Sequence, residues 1–298
     1  MQVDLVATGL LRFTDGTPVR AASAIAPYAD GWLVCQDDAT HACWWHDDVG
    51  TPVRVLPAVE GHEVFSEVAG TKDLKPDLEA AVAVDSGVLL LGSGSTPARM
   101  RAVWLAPGSG PDVGDLGAVY ARVAELLAVP PDALNLEGAC IVGDRLRWFQ
   151  RGLPAAGVPT ASVDVGLRSL LDAVRGTGGG TSVEVADVRR YVIEGPDGLP
   201  LATTDAVALP DGRILASAAA EDSPTTYDDG PVLGSALVLL DSDQVVATAG
   251  LPEPGGRVAK VEGLALVAWG DGGGRLLATV DADDPDVPSS VLTLDVRL

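Results

Sequence analysis

Five short apolar runs, each with a polar or acidic residue set into its start and the first of them the weakest copy, divide this chain at nearly equal intervals. They are Ala22-Ser23-Ala24-Ile25-Ala26, Asp77-Leu78-Glu79-Ala80-Ala81-Val82-Ala83, Asn135-Leu136-Glu137-Gly138-Ala139-Cys140-Ile141, Thr204-Asp205-Ala206-Val207-Ala208-Leu209 and Lys260-Val261-Glu262-Gly263-Leu264-Ala265-Leu266. With Ser23, Glu79, Glu137, Asp205 and Glu262 as equivalent points, the intervals are 56, 58, 68 and 57 residues, and 59 residues remain to close a circle through the termini. A repeat of that size, five times over, is what a propeller of four-stranded blades gives. The expected fold is therefore all-β: one five-bladed propeller domain over residues 1–298.

The same pattern orders the rest of the chain. Leu5-Val6-Ala7-Thr8-Gly9-Leu10-Leu11 resembles Val245-Val246-Ala247-Thr248-Ala249-Gly250-Leu251, the outermost strand expected of unit four. The N-terminus should thus be the outermost strand of unit five, pairing with Val291 to Asp295 and closing the ring so that no sheet edge is left open. Second strands are expected at Trp32 to Cys35, Val88 to Leu91, Leu146 to Arg151, Arg213 to Ala218 and Arg275 to Val280. Leu116, Val119, Tyr120, Val123, Leu126 and Leu127 fall at helical spacing, and Pro130-Pro131 ends that helix near residues 116–127. The span after unit three is less regular, with a surface loop at Gly176 to Gly180.

A net charge of −22 argues against nucleic acid, which requires a basic footprint, and favours cations. No stretch has the length of a membrane helix or the layout of a signal peptide, so a cytoplasmic protein without a membrane partner, and a monomer, is expected. The three cysteines read as reduced thiols, although Cys35 and Cys43 could face each other across a hairpin.

In an antiparallel blade the end of the second strand lies beside the start of the inner one. Ser23, Glu79, Glu137, Asp205 and Glu262 should therefore converge on the axis, rimmed by Asp38, the Ser93-Ser95-Thr96 group, Arg151, Glu221-Asp222 and Asp281-Asp283. Carboxylates so crowded repel unless protonated or bound to a cation, and an oxygen-only ring suits Ca²⁺ better than Mg²⁺. The alternative is that these residues cap backbone amides of neighbouring blades. All three lysines, Lys72, Lys75 and Lys260, precede an axial carboxylate, where Lys75 and Lys260 either contact an anion or offset the acidic ring. Ser95 and Arg99, in the turn of unit two, join Lys75 and Lys260 as candidate substrate-binding residues.

The order Ser, Glu, Glu, Asp, Glu resembles the calcium-activated nucleotidases (apyrases), together with Lys260-Val261-Glu262-Gly263, Asp37-Asp38-Ala39-Thr40 and Arg147-Trp148-Phe149 through Arg151. That family is built as five-bladed propellers with a central Ca²⁺ held by one side chain per blade, in a ring reading Ser, Glu, Glu, Ser, Glu. The resemblance implies Ca²⁺ at Ser23, Glu79, Glu137, Asp205 and Glu262. The family's tryptophan after the second glutamate is Ala80 here, its turn arginine is Ala39, and its proline before the matched arginine is Gln150. Three functions stand: a Ca²⁺-dependent hydrolase of a small anionic phosphoanhydride, phosphoester or lactone, a furanosidase-like glycosidase, and a binding or structural propeller. For the hydrolase, Asp38, Glu221 and Asp222 are candidate bases, with Arg151 steadying developing negative charge; the alternative for Arg151 is a salt bridge to Glu137 or Glu221.

Overall fold

The computed structural model describes residues 1–298 apart from 154–155, 223–229, 283 and 285. Strand β1 (Gln2–Leu10) belongs to the last blade. Blade one is β2 (Ala22–Tyr28), β3 (Gly31–Gln36), β4 (His41–His46) and β5 (Val49–Arg54), and blade two is β6 (Leu78–Val84), β7 (Gly87–Gly92), β8 (Arg101–Leu105) and β9 (Asp112–Asp115). Helix α1 (Gly117–Leu127) leads to blade three, which comprises β10 (Leu136–Val142), β11 (Arg145–Gln150), β12 (Thr160–Gly166) and, after helix α2 (Leu167–Val174), β13 (Val185–Tyr191). Blade four is β15 (Pro200–Ala208), β16 (Ile214–Glu221), β17 (Val232–Asp241) and β18 (Gln244–Gly250), with the two-residue β14 (Ile193–Glu194) added beside β15. Blade five is β19 (Val261–Gly270), β20 (Gly273–Val280), β21 (Ser290–Arg297) and β1.

The inner strands β2, β6, β10, β15 and β19 pack side by side in that order, and β19 returns to β2. β1 pairs antiparallel with β21 through Leu5 and Leu294 and through Gly9 and Val291, so both termini are tied into one sheet as the Val-Ala-Thr resemblance predicts. The expected helix is α1, whose Val119, Tyr120, Val123 and Leu127 are buried in a core shared by blades two and three. The span expected to be irregular is instead β12, α2 and β13. Leu170, Leu171 and Val174 of α2 are buried in that same core, so tertiary burial outweighs the weak local pattern. Cys35 and Cys43 do not face each other: Cys43 lies opposite Val34, and the two thiols belong to different apolar clusters, as strand alternation requires. All three cysteines are free and buried. Among the described residues, no helix is long and apolar enough to cross a membrane.

Each inner strand carries a β-bulge near its start. The pairing register skips Ser23 in β2, Glu79 in β6, Glu137-Gly138 in β10, Thr204 in β15 and Glu262 in β19. A bulge leaves one residue outside the ladder and re-aims its side chain. In blades three and five the residue after it is glycine, and neighbouring blades nearly touch there. A Cβ added to Gly138 would lie 2.3 Å from Asp205 Cα, and one added to Gly263 would lie 2.8 Å from Ala24 Cα.

Candidate functional site

The bulges deliver Ser23, Glu79, Glu137 and Glu262 to the wall of an axial cavity of about 580 Å³. Asp205 does not line it. In blade four the bulge falls on Thr204, and Asp205 occupies the small-residue position, with Oδ2 accepting from Leu264 N at 2.6 Å and Oδ1 from Ala206 N at 2.7 Å. Its burial pushes its pKa well above the usual carboxylate range despite these backbone donors. Thr204 and Ser23 behave alike. Ser23 Oγ donates to the carbonyl of Leu78 at 2.5 Å, and Thr204 Oγ1 donates to that of Val261 at 2.6 Å. Each hydroxyl thus ties its blade to the residue just before the next blade's glutamate.

Two ion-pair chains flank the axis. In the first, Lys75 Nζ lies 2.6 Å from Asp37 and 2.7 Å from Asp77, and Asp77 also meets Arg99 Nη1 at 2.9 Å and the Ser93 hydroxyl. Ser95 stands behind, accepting from Arg99 at 2.9 Å. In the second, Arg151 spans Glu137 at 2.8 Å and Glu221 at 2.7 Å, while Lys260 reaches Glu221 at 3.2 Å and Glu262 at 3.0 Å. Asn135 Nδ2 donates to Glu137 at 2.9 Å, leaving Glu137 Oε2 buried without a hydrogen-bond partner. Asp38 pairs with Arg20 on the rim, and its Oδ1 is likewise without a hydrogen-bond partner. Asp222 is exposed, its backbone N–H bonded to Pro231 O, and Asp283 lies outside the described residues.

Charge bookkeeping across these groups is uneven. The first chain balances two carboxylates against two cations, with Glu79 beside it; the second sets three carboxylates against two cations. Glu79 and the second chain together leave two negative charges uncompensated among the described residues. Burial pushes Glu137 up to about 8 and Asp37 up to about 7, and burial with the neighbouring Asp77 and Asp37 charges raises Glu79 well above its ordinary range. Asp77 moves the other way: burial opposes ionisation, but Lys75 and Arg99 outweigh it. Lys75 and Arg151 resist burial through their carboxylate neighbours and stay charged.

Ligand oxygens of Asp37, Asp77 and Glu79 all lie within 4.8 Å of one another, the spacing that a cation with metal–oxygen distances of ~2.3–2.6 Å demands. Glu79, Glu137 and Glu262 do not form such a group. The side chains present therefore fit an ion beside Glu79, off the centre of the ring, where Lys75 already contacts two of the three carboxylates. Sequence reasoning missed Asp77 and Asn135 as site residues. Both stand two residues before a bulge, as Lys260 does, and this shared offset was the available signal.

The family model described as Family of unknown function (DUF6910) matches residues 71–285. A comparison with curated proteins gives no match. Among solved structures, a Parabacteroides distasonis protein provisionally classed as a glycoside hydrolase is 9% identical, with 93% of this chain and 86% of that one covered at a TM-score of 0.53. Myxococcus xanthus glutaminyl cyclase is 11% identical, covering 99% of this chain and 97% of its own, at 0.51. A Xanthomonas campestris gluconolactonase is 12% identical over 99% and 97% of the two chains, at 0.44. At these identities the first two likenesses speak to the fold and leave the chemistry to the site.

Proposed function

The chain belongs to the DUF6910 family, whose function is unknown, and we propose that it is a metal-dependent propeller hydrolase acting on a small anionic substrate, a phosphoanhydride, phosphoester or lactone. The observation that carries this reading is the axial charge deficit: two uncompensated carboxylates and an unpartnered Glu137 Oε2 at the wall of an open cavity. A divalent cation neutralises that deficit, and the oxygen-only donors favour Ca²⁺. When bound, such an ion polarises the oxygen of the scissile group and acidifies water.

The chain's own residues do the rest. Asp37, Asp77 and Glu79 would hold the ion, with Glu137 and Glu262 facing the same cavity. Lys75 and Arg99 fix Asp77, and Arg151 and Lys260 fix Glu137, Glu221 and Glu262. Asp38 is the best placed base among the candidates. Burial raises its pKa against the pull of Arg20, its Oδ1 is without a hydrogen-bond partner, and it stands on the rim, whereas Glu221 is tied to Arg151 and Lys260.

One observation favours a second reading, a binding propeller without turnover. Both prongs of Arg151 are engaged by carboxylates, so this guanidinium serves the ion-pair chain and is not presented to a substrate anion. A screen of phosphoesters, phosphoanhydrides, lactones and glycosides with and without chelator, alongside elemental analysis, separates the two. Turnover abolished by chelator and restored by Ca²⁺ supports the hydrolase; bound metal with no turnover on any class supports the binding propeller.

A further inference from the structure

The Arg20–Asp38 ion pair lines two cavities at once. One is the axial cavity, and the other is a lateral cleft of about 520 Å³ on the flank of blade one. The two spaces meet at these side chains, yet their chemistry differs. The axial side has Lys75, Arg151 and Lys260 around its carboxylates. Apart from Arg20, the cleft has no lysine or arginine in its lining among the described residues. Phe13, His41, Pro52 and Val64 face it, with the Phe13 and His41 ring centroids 5.7 Å apart, and Asp15 and Asp286 also line it. Burial holds the His41 imidazole below its usual range, so it is neutral at neutral pH. An anionic group is therefore disfavoured in the cleft, and an uncharged planar or apolar one is favoured.

The ion pair at this meeting point is held in place. Gln36 is buried, accepts from Arg20 N at 3.0 Å and donates to His41 O at 3.1 Å, joining the pair to the cleft. The next residue, Ala21, has φ of 47°, a costly conformation for a residue with a Cβ, and is pinned by a 3.0 Å hydrogen bond from its N–H to Asp281. Arg20 itself is held between the two spaces by its ion pair with Asp38 and its backbone bond to Gln36.

We propose that the lateral cleft is a second subsite of the axial cavity, receiving the uncharged aryl or short alkyl part of a substrate whose anionic end lies at the axis, with Arg20–Asp38 at the junction. The proposal rests on the reading of the axial cavity as an anion site supported by a metal, and it narrows the substrate class to monoesters or their equivalents carrying one compact apolar group.

The test uses two non-hydrolysable probes, phenylphosphonate and methylphosphonate, titrated calorimetrically into the full chain with Ca²⁺ present. Phenylphosphonate should bind about 10-fold tighter, the scale of burying part of a ring. Phe13→Ala should bring the ratio close to one while leaving methylphosphonate binding unchanged. Because Phe13 also packs against the core, Val64→Trp at an exposed cleft position is the second variant, and it should block the aryl preference without unfolding the protein. Equal affinities in the wild type, no binding of either probe, or a ratio untouched by both variants would overturn the proposal. Aryl preference in binding without turnover of any ester leaves the subsite standing and removes the hydrolase reading. Turnover without aryl preference does the reverse.

Discussion

Glu137→Gln isolates the axial electrostatics because the amide keeps the side chain's shape and its contact with Asn135 while deleting one titratable group. In the metal-free protein, burial raises Glu137 from 4.5 to about 8. An acid with a raised folded pKa retains a proton that the unfolded chain has released. The stability it contributes is complete below about pH 4.5 and is lost progressively as pH rises toward about 8. Between pH 5 and pH 8 the wild type should therefore lose roughly 3 kcal/mol that the Gln variant does not lose, at ~1.4 kcal/mol per pH unit with allowance for coupling to Arg151 and Glu262. For a chain of this length that is a difference of roughly 5 °C in melting temperature. General repulsion from the acidic surface acts on both proteins, so the difference between their slopes reports Glu137. Thermal melts followed by circular dichroism at pH 5, 6.5 and 8 with chelator provide the measurement. Added Ca²⁺ should restore stability most at pH 8 in the wild type, since an ion bound only by the folded ring stabilises it by mass action. Parallel slopes for the two proteins, or chelated wild type as stable at pH 8 as at pH 5, would refute the reasoning.

The other expectations follow from individual contacts. Arg151→Ala leaves Glu137 and Glu221 without their bridging cation and should cost about 3 kcal/mol in chemical denaturation, the scale of breaking a buried pair; a loss of activity with no loss of stability would assign Arg151 to substrate instead. Asp205→Ala removes the acceptor for the Leu264 and Ala206 amides and should cost roughly 2–4 kcal/mol while leaving bound metal unchanged by elemental analysis; a fall in metal content would return Asp205 to the ligand set. Gly138→Ala forces a methyl against the backbone of Asp205 and should cost about 3 kcal/mol, with a wild-type denaturation midpoint as the contrary result.

The period was legible in the sequence because each blade must start an apolar inner strand, and a polar residue at that start is visible without any knowledge of pairing. The bulge was not legible. In blade four Thr203, Thr204 and Asp205 are three polar residues in a row, and Thr204 gives intervals of 67 and 58 residues where Asp205 gives 68 and 57, so spacing cannot choose between them. A one-residue slip along a strand moves a side chain to the other face, which is why the choice matters. Contacts distant in sequence decide it: the Thr204 hydroxyl meets Val261 O, and the backbone of Asp205 fills the space beside Gly138. Arg151, by contrast, was placed from its strand end together with both of its partners, Glu137 and Glu221, because strand ends of neighbouring blades share one face.

That register also explains the order of residues around the ring. Ser23 and Thr204 each spend a hydroxyl proton on the carbonyl that precedes the next blade's glutamate. An ionised carboxylate has no proton to give, and in that position it would set negative charge against a carbonyl oxygen in a buried site. In blades one and four the hydroxyls meet this need, binding the carbonyls of Leu78 and Val261 at the start of blades two and five. Blade three bears no such duty toward Thr204, and Glu137 keeps one oxygen without a hydrogen-bond partner. The interblade hydrogen bonds thus account for two of the five ring residues, and the three glutamates they leave over belong to the groups among which two negative charges stay uncompensated among the described residues.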